Sequence, residues 1–225
     1  MYILDVTADI TVLQTTYNGQ LKELCRATGD DCGTTSIVDR FFKIIEEIVG
    51  GNVITELKQQ SPSDWLEMLR TIRMVLQGYT KFNPQVFVFD IPWSLMDICQ
   101  ELHGNDLKSV IESSSYVNEI TLSGPILRFK KDLTIKLFKP TIDSIINLMK
   151  NTFTNRSTNG LSNILIVGGL SEFRMIQDEV QTAFPGKRCI IPTNADTSVL
   201  SGAVLFGHRP DYNRSELCDE EGIGK

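Results

Sequence analysis

Two short stretches of the sequence carry residue types suited to holding a nucleotide or another anion. Gly168-Gly169 directly follows the apolar run Asn163-Ile164-Leu165-Ile166-Val167. Without Cβ atoms at a strand-to-helix junction the backbone can approach a ligand closely, and the N–H groups and dipole of the helix start favour negative charge. The same pair can equally close a βα unit with no ligand, because neither G-x-G-x-x-G nor G-x-x-x-x-G-K-[ST] is present. The second stretch is Asp5-Val6-Thr7-Ala8-Asp9. Two carboxylates flanking a hydroxyl at a strand end suit a hydrated divalent cation beside phosphates, since magnesium keeps several waters and uses few protein ligands. A plain turn is the other reading.

The remaining reactive types point to structural roles. His103 and His208 stand at the ends of expected helices, where capping of C-terminal carbonyls explains both. Five scattered cysteines (Cys25, Cys32, Cys99, Cys189, Cys218) form no C-x-x-C pair, so neither a disulfide framework nor a zinc site is indicated. Cys25 and Cys32, with Arg26 as their one basic neighbour, read as inert thiols. Trp65 and Trp93 fall on apolar helix faces and read as core.

The elements that must position these residues follow from periodicity. The first thirty residues predict a β-meander: Tyr2–Asp5, Ile10–Thr15, a two-residue hairpin signal at Asn18-Gly19, and Gln20–Ala27. A polar loop over residues 28–36, containing Gly33 and Thr34, precedes Ile37, Phe41, Ile44, Ile45, Ile48 and Val49 at helical spacing, with Gly50-Gly51 as the stop. Helices are expected at Val53–Gln60, Ser63–Gln77, from Pro92 to about Leu102, and over residues 106–113. Strands are expected over 85–90, 117–121 and 125–129, the last two joined at Ser123-Gly124. A long helix from Lys131 to Asn151 contains Pro140, which predicts a kink or break. Strand Leu161–Val167, helix Glu172–Phe184, strand Lys187–Ile191 and helix Ala195–Gly207 then describe a βαβα unit with a parallel, doubly covered sheet.

Composition narrows the function classes. With 225 residues, 41% of them hydrophobic and 22% charged, the chain can bury a real core as one large domain or one domain with an insert. A balance of 22 basic against 28 acidic residues, net charge −6, argues against a nucleic-acid partner, which needs a basic face. The longest apolar runs, such as Val86–Phe89, are far below the roughly 18 residues of a membrane span, so no membrane partner is expected. Met1-Tyr2-Ile3-Leu4-Asp5 lacks the basic start of a signal peptide, and a cytoplasmic location is expected.

The order of several strings resembles the second half of the nucleotide-binding domain of the heat-shock 70-kDa protein family, in its divergent heat shock 70 kDa protein 12 branch. The strings are Asp5-Val6-Thr7-Ala8-Asp9, Leu21-Lys22-Glu23-Leu24, Gly33-Thr34-Thr35 leading to Val38-Asp39-Arg40-Phe41-Phe42, and Ile91-Pro92-Trp93-Ser94-Leu95-Met96-Asp97. Leu137-Phe138-Lys139-Pro140-Thr141-Ile142, Ile166-Val167-Gly168-Gly169-Leu170-Ser171-Glu172 and Gly202-Ala203-Val204-Leu205-Phe206-Gly207 complete the set.

The resemblance implies an α/β fold, lobe II of the actin-like ATPase (ribonuclease H-like) fold. Its core subdomain would comprise residues 1–45 and 130–208, with a smaller α/β subdomain, 46–129, inserted and a polar tail, 209–225. It further implies ATP or ADP with Mg²⁺. Asp5, Thr7 and Asp9 would face phosphate and magnesium, the two aspartates through water and as candidate catalytic groups. Gly33 and Thr34 would lie under the phosphates, and Gly168 and Gly169 would lie on the ribose and adenine side. Client or co-chaperone proteins are the implied protein partners.

The phosphate turn departs from the family, with three residues between Asp5 and Asp9 where the family has six and no glycines to shape an N–H nest. Lobe I is absent from the chain as well. The expectation is therefore an incomplete chaperone-like member with weak or absent ATPase. A non-catalytic interaction module and a sugar or acetate kinase of the same superfold are the alternatives.

Overall fold

A computed structural model describes residues 2–3, 7–19, 21–29, 32–79, 86–154, 156–169, 171, 173–195 and 197–208. Of the residues singled out above, Met1, Leu4, Asp5, Val6, Gln20, Leu170, Glu172 and Cys218 lie outside the described residues, as do residues 30–31, 85 and 196 of the expected elements and the polar tail 209–225. In chain order the strands are β1 (Tyr2–Ile3), β2 (Ala8–Thr15), β3 (Leu21–Gly29), β4 (Phe87–Asp90), β5 (Ile120–Ser123), β6 (Ile126–Phe129), β7 (Asn163–Leu165), β8 (Val167–Gly168) and β9 (Arg188–Ile190). The helices are α1 (Thr34–Val49), α2 (Gly51–Gln60), α3 (Pro62–Tyr79), α4 (Trp93–His103), α5 (Leu107–Ser113), α6 (Lys131–Phe153), α7 (Arg174–Ala183) and α8 (Ser198–His208). The chain divides into two units, Met1–Gly33 with Ile142–Lys225, and Thr34–Thr141. The α/β class expected from the sequence is borne out.

In the first unit the alternation of Ala8, Ile10 and Val12 puts one face of β2 in the core, where Ile145, Met149, Ile164 and Ile166 are also buried. The strand order of its larger sheet is β3-β2-β1-β8, with β1 antiparallel to β2 and parallel to β8. A register shift between Val12 and Leu13 marks a bulge in the β2–β3 pair, and beyond it the side chains of Leu13, Gln14 and Thr15 are exposed. The expected two-residue hairpin is corrected: β2 ends at Thr15 and β3 begins at Leu21, and these two residues pair. The Gly19 N–H donates to the Thr16 carbonyl at 3.0 Å, and Gly19 takes the φ of 76° that closes the turn.

The expected single strand Leu161–Val167 is also corrected. It is two short strands in different sheets, β7 pairing in parallel with β9 and β8 pairing in parallel with β1. Ile166 lies between them, its N–H donating to the Ile190 carbonyl at 3.0 Å. Twist accounts for such a division, because a strand that rotates relative to its neighbours can satisfy one partner early and another late. Helix α8 is exposed along almost its whole length despite Leu200, Val204, Leu205 and Phe206. A cavity of about 830 Å³ in this unit is lined by Ile10, Val12, Met149, Ile164, Val199 and Phe206, among other residues.

The second unit is built around α1. Its buried residues Ile37, Val38, Phe41, Ile44, Ile45 and Ile48 recur at three- and four-residue steps, the stripe that a packed helix requires. Phe41, fully buried, stands 4.2 Å from Phe87 of β4, 5.1 Å from Phe129 of β6 and 6.4 Å from Phe138 of α6, measured between ring centroids. One side chain thus joins α1 to the antiparallel sheet β4-β6-β5 and to the start of α6.

Helix α6 runs through Pro140 with no break, which corrects that half of the expectation. Pro140 is on the exposed side, where solvent can take the Lys136 carbonyl that proline leaves without a helical donor. Next to it, Arg40 Nε donates to the Leu137 carbonyl at 2.8 Å, its guanidinium also bonds the Thr141 hydroxyl, and Ser36 and Thr141 hydroxyls lie 3.2 Å apart. These bonds tie α1 to the turn of α6 that carries the proline.

The other structural readings divide. Gly50, with φ 84°, ends α1, and α2 starts at Gly51. His103 closes α4, yet its Nε2 lies 2.7 Å from the Val49 carbonyl, so the carbonyl it caps belongs to the end of α1. His208 is the last residue of α8 and is exposed. Trp65 is half-buried, 4.9 Å from the Phe42 ring with Lys58 Nζ 4.5 Å above it. Trp93 is not core as expected: it is 60% exposed, because it is the first residue of α4 and lies off the stripe Leu95, Ile98, Cys99 that turns inward.

Cys25, Cys32, Cys99 and Cys189 carry free thiols. Burial pushes the Cys99 thiol up to about 11, with the Asp106 carboxylate adding to the shift, and burial raises Cys189 as well. In the folded protein at pH 8, Cys99 is therefore expected to resist iodoacetamide and to react once urea unfolds the chain, as read by peptide mass mapping. Because its folded pKa lies above the unfolded value of 9.0, the stability it contributes is whole below pH 9 and is lost as the pH climbs through about 11. Phe41→Ala is expected to cost about 3–5 kcal/mol in denaturant unfolding, the range for emptying a large aromatic site. A loss below about 1 kcal/mol would show that the cluster does not organise this unit.

Candidate functional site

The four-stranded sheet of the first unit sets where the expected site residues meet. In its register Gly29 of β3 faces Ala8 of β2, Ala8 faces Ile3 of β1, and Ile3 faces Gly168 of β8. With strands about 4.8 Å apart, this row is roughly 15 Å wide. β1, β3 and β8 all run in one direction, so their carboxyl ends fall at the same end of the sheet, and β2 begins there. The segments that follow β1, β3 and β8 and the one that precedes β2 therefore leave from a single edge. Among the described residues, Thr7 to Asp9, Gly33, and Gly168 with Gly169 stand at or just beyond these strand ends. Ligands of open α/β sheets bind beyond the carboxyl ends of strands for this reason, since loops and helix starts with unpaired N–H groups collect there.

Each expected residue can now be placed. Asp9 is half-buried at the start of β2, in register with Thr28 and Tyr2, and accepts a bond from the Thr7 hydroxyl at 3.4 Å. Gly33 is buried at the end of the loop from β3, and Thr34 is buried as the first residue of α1 rather than part of that loop, so the helix starts earlier than periodicity suggested. Thr34 is also the first residue of the second unit. Asp5 lies outside the described residues, so the pairing of Asp5 with Asp9 about one cation is not seen. Among the described residues no three His, Cys, Asp or Glu side chains are grouped to hold a metal ion.

Gly168 and Gly169, identical in the sequence, do different work. Gly168 is buried with φ 99°, a backbone region that residues with a Cβ rarely adopt. Its N–H donates to the Ala195 carbonyl at 2.7 Å, and its carbonyl accepts from the N–H of Ser171 at 3.0 Å and from the Ser171 hydroxyl at 2.6 Å. Gly169 is exposed, and a Cβ built on it meets no atom within 4 Å. Gly168 makes the turn, and Gly169 is the residue that faces open space. Sequence reasoning missed Ser171 and Gln177, whose Nε2 donates to the Ser171 carbonyl at 3.0 Å. A serine three positions after a turn glycine was a usable signal for the first; for Gln177 there was none.

The described part of the chain is a mixed α/β protein whose candidate binding edge is the carboxyl end of parallel-running strands. No protein-family model matches the chain. It is 32% identical over 222 residues to heat shock 70 kDa protein 12A of Mus musculus, covering 96% of this chain and 33% of that protein. It is 31% identical over 223 residues to the Homo sapiens 12A protein, with the same coverage. To Homo sapiens heat shock 70 kDa protein 12B it is 28% identical over 212 residues, covering 92% of this chain and 31% of the relative. The resemblance to the heat shock 70 kDa protein 12 branch is thus borne out over almost the whole chain, and the chain spans about a third of the length of these relatives. Among solved structures it is similar to a chain described as "pCBH ParM non-polymerisable quadruple mutant", at 14% identity and a TM-score of 0.47, covering 92% of this chain and 45% of that one. No helix among the described residues is long and apolar enough to cross a membrane.

The contrast between the two glycines is directly testable. Gly168→Ala is expected to destabilise the chain by about 1–3 kcal/mol, the usual cost of a side chain at positive φ, whereas Gly169→Ala should leave the melting temperature nearly unchanged. Equal effects in a thermal melt would contradict the assigned roles.

Proposed function

We propose that this chain is one lobe of an actin-like ATPase fold and acts as a nucleotide-binding, chaperone-like protein related to the heat-shock 70-kDa family, with weak or absent ATP hydrolysis. The observation that carries the reading is the register that sets the start of β2, with Ala8 and Asp9, beside the ends of β1, β3 and β8, so that Asp9, Gly29 and Gly168 share one end of one sheet. The similarity to heat shock 70 kDa proteins 12A and 12B supports it. ATP or ADP is the proposed ligand, client or co-chaperone proteins are the proposed partners, and the cytoplasm is the proposed compartment.

The residues fit the nucleoside side of such a ligand. Gly169 leaves open room where a ribose or adenine would approach, while Gly168, with its N–H already engaged, shapes the turn. On the phosphate side Asp9 would hold magnesium through water with Asp5, Thr7 would orient the Asp9 carboxylate, and Gly33 and Thr34 would lie beneath the phosphates. Magnesium supplies charge neutralisation for the phosphates when bound. Between Asp5 and Asp9 the sequence has no glycine to shape an N–H nest, and Ala8 is already the first residue of β2, paired with Ile3 and Gly29. Hydrolysis would suffer from this more than binding, since positioning of the phosphates is most of phosphoryl-transfer catalysis.

Titration of the full chain with a fluorescent ATP analogue is expected to give saturable binding that magnesium strengthens, and Asp9→Asn should remove most of the magnesium effect while leaving adenosine binding in place. Absence of saturable binding up to millimolar analogue would overturn the reading and leave an interaction module that keeps the fold without the ligand. Steady phosphate release at about 1–100 s⁻¹, the range of kinases, would overturn the weak ATPase.

A further inference from the structure

The turn that presents Gly169 is tied down by a chain of hydrogen bonds that a simple chain reversal does not need. The Ala195 carbonyl takes the Gly168 N–H, the Gly168 carbonyl takes both the N–H and the hydroxyl of Ser171, and the Ser171 carbonyl takes Gln177 Nε2. Ser171 is 0% exposed, so its 2.6 Å bond is shielded from competing water. Gln177 belongs to α7, whose Ile176 and Val180 are buried, and so anchors the turn to the packed body of the unit.

We propose that Ser171 and Gln177 are positioning residues for nucleoside recognition: together they hold the Gly168–Ser171 turn in the one shape that leaves the Gly169 backbone open to the ligand. This inference rests on the nucleotide-binding reading above. The physical reason is pre-organisation. A loop that is already ordered loses less conformational freedom when a ligand arrives, so more of the contact energy appears as affinity. Since the Gly168 N–H and carbonyl are both engaged within the protein, the ligand meets the turn at Gly169. An unfastened turn would have to find that shape again at each binding event. The tie acts on the nucleoside part of the ligand and not on its phosphates, so its loss weakens adenosine and ADP by the same factor.

Three variants of the full chain test this. Gln177→Met keeps the length of the side chain and removes the donor, Gln177→Lys restores a donor, and Ser171→Ala removes the hydroxyl without adding volume. Gln177→Met is expected to weaken a fluorescent ADP analogue about fivefold, the factor that one net neutral hydrogen bond represents, with an equal factor for adenosine measured by competition. Gln177→Lys should recover most of the loss, and Ser171→Ala, with its melting temperature measured alongside, should match or exceed Gln177→Met. Unchanged affinity in the folded Gln177→Met and Ser171→Ala proteins overturns the inference alone, as does a loss confined to ADP or one that Gln177→Lys leaves in place. Failure of the unaltered chain to bind either ligand overturns the inference together with the nucleotide reading.

Discussion

The candidate site in the first unit depends on the hydrogen-bonding of one two-residue strand. β1 is antiparallel to β2 on one side and parallel to β8 on the other, with Ile3 facing Ala8 and Gly168 at once. Antiparallel pairing needs only a tight connection, but a parallel partner must come from far along the chain, here more than 160 residues away by position. That long-range pairing brings Gly168 beside Ile3, one strand away from Ala8. Without it the chain would hold two separate candidate motifs and no shared edge.

The second unit solves a different problem, the burial of a strongly apolar helix. Phe41 faces two strands and a second helix through tilted and edge-on ring contacts, which favour particular angles as well as burial. Arg40, its neighbour, reaches the backbone of α6 beside Pro140. Apolar packing and a directed polar bond from adjacent residues thus hold the same helix pair, one supplying area and the other fixing rotation about the axis.

Elements with a strong period were legible in the sequence. The stripe of α1, the alternation in β2 and the glycine after α1 all follow from local pattern. What periodicity missed had non-local causes. The division of residues 161–167 between two sheets depends on which neighbours β7 and β8 find, and an apolar run of that length looks the same in either case. Pro140 fits inside α6 because it faces out, which depends on the helix as a whole. Trp93 is exposed because of its place at the first turn of α4, although its type suggested core.

The candidate site divides along the same line. By itself the sequence determined which residue types were available: glycines after an apolar strand, carboxylates after another, and an ordered set of strings resembling the heat shock 70 kDa protein 12 branch. These are properties of composition and spacing, which the chain carries whether folded or not. Only the tertiary structure decided that the segments share one end of a sheet. It also decided that Gly168 bends the turn while Gly169 faces open space, and that Ser171 and Gln177 hold that turn in place. The physical reason is that a hydrogen-bond partner distant in sequence is chosen by strand register and burial, and neither quantity exists until the chain has folded.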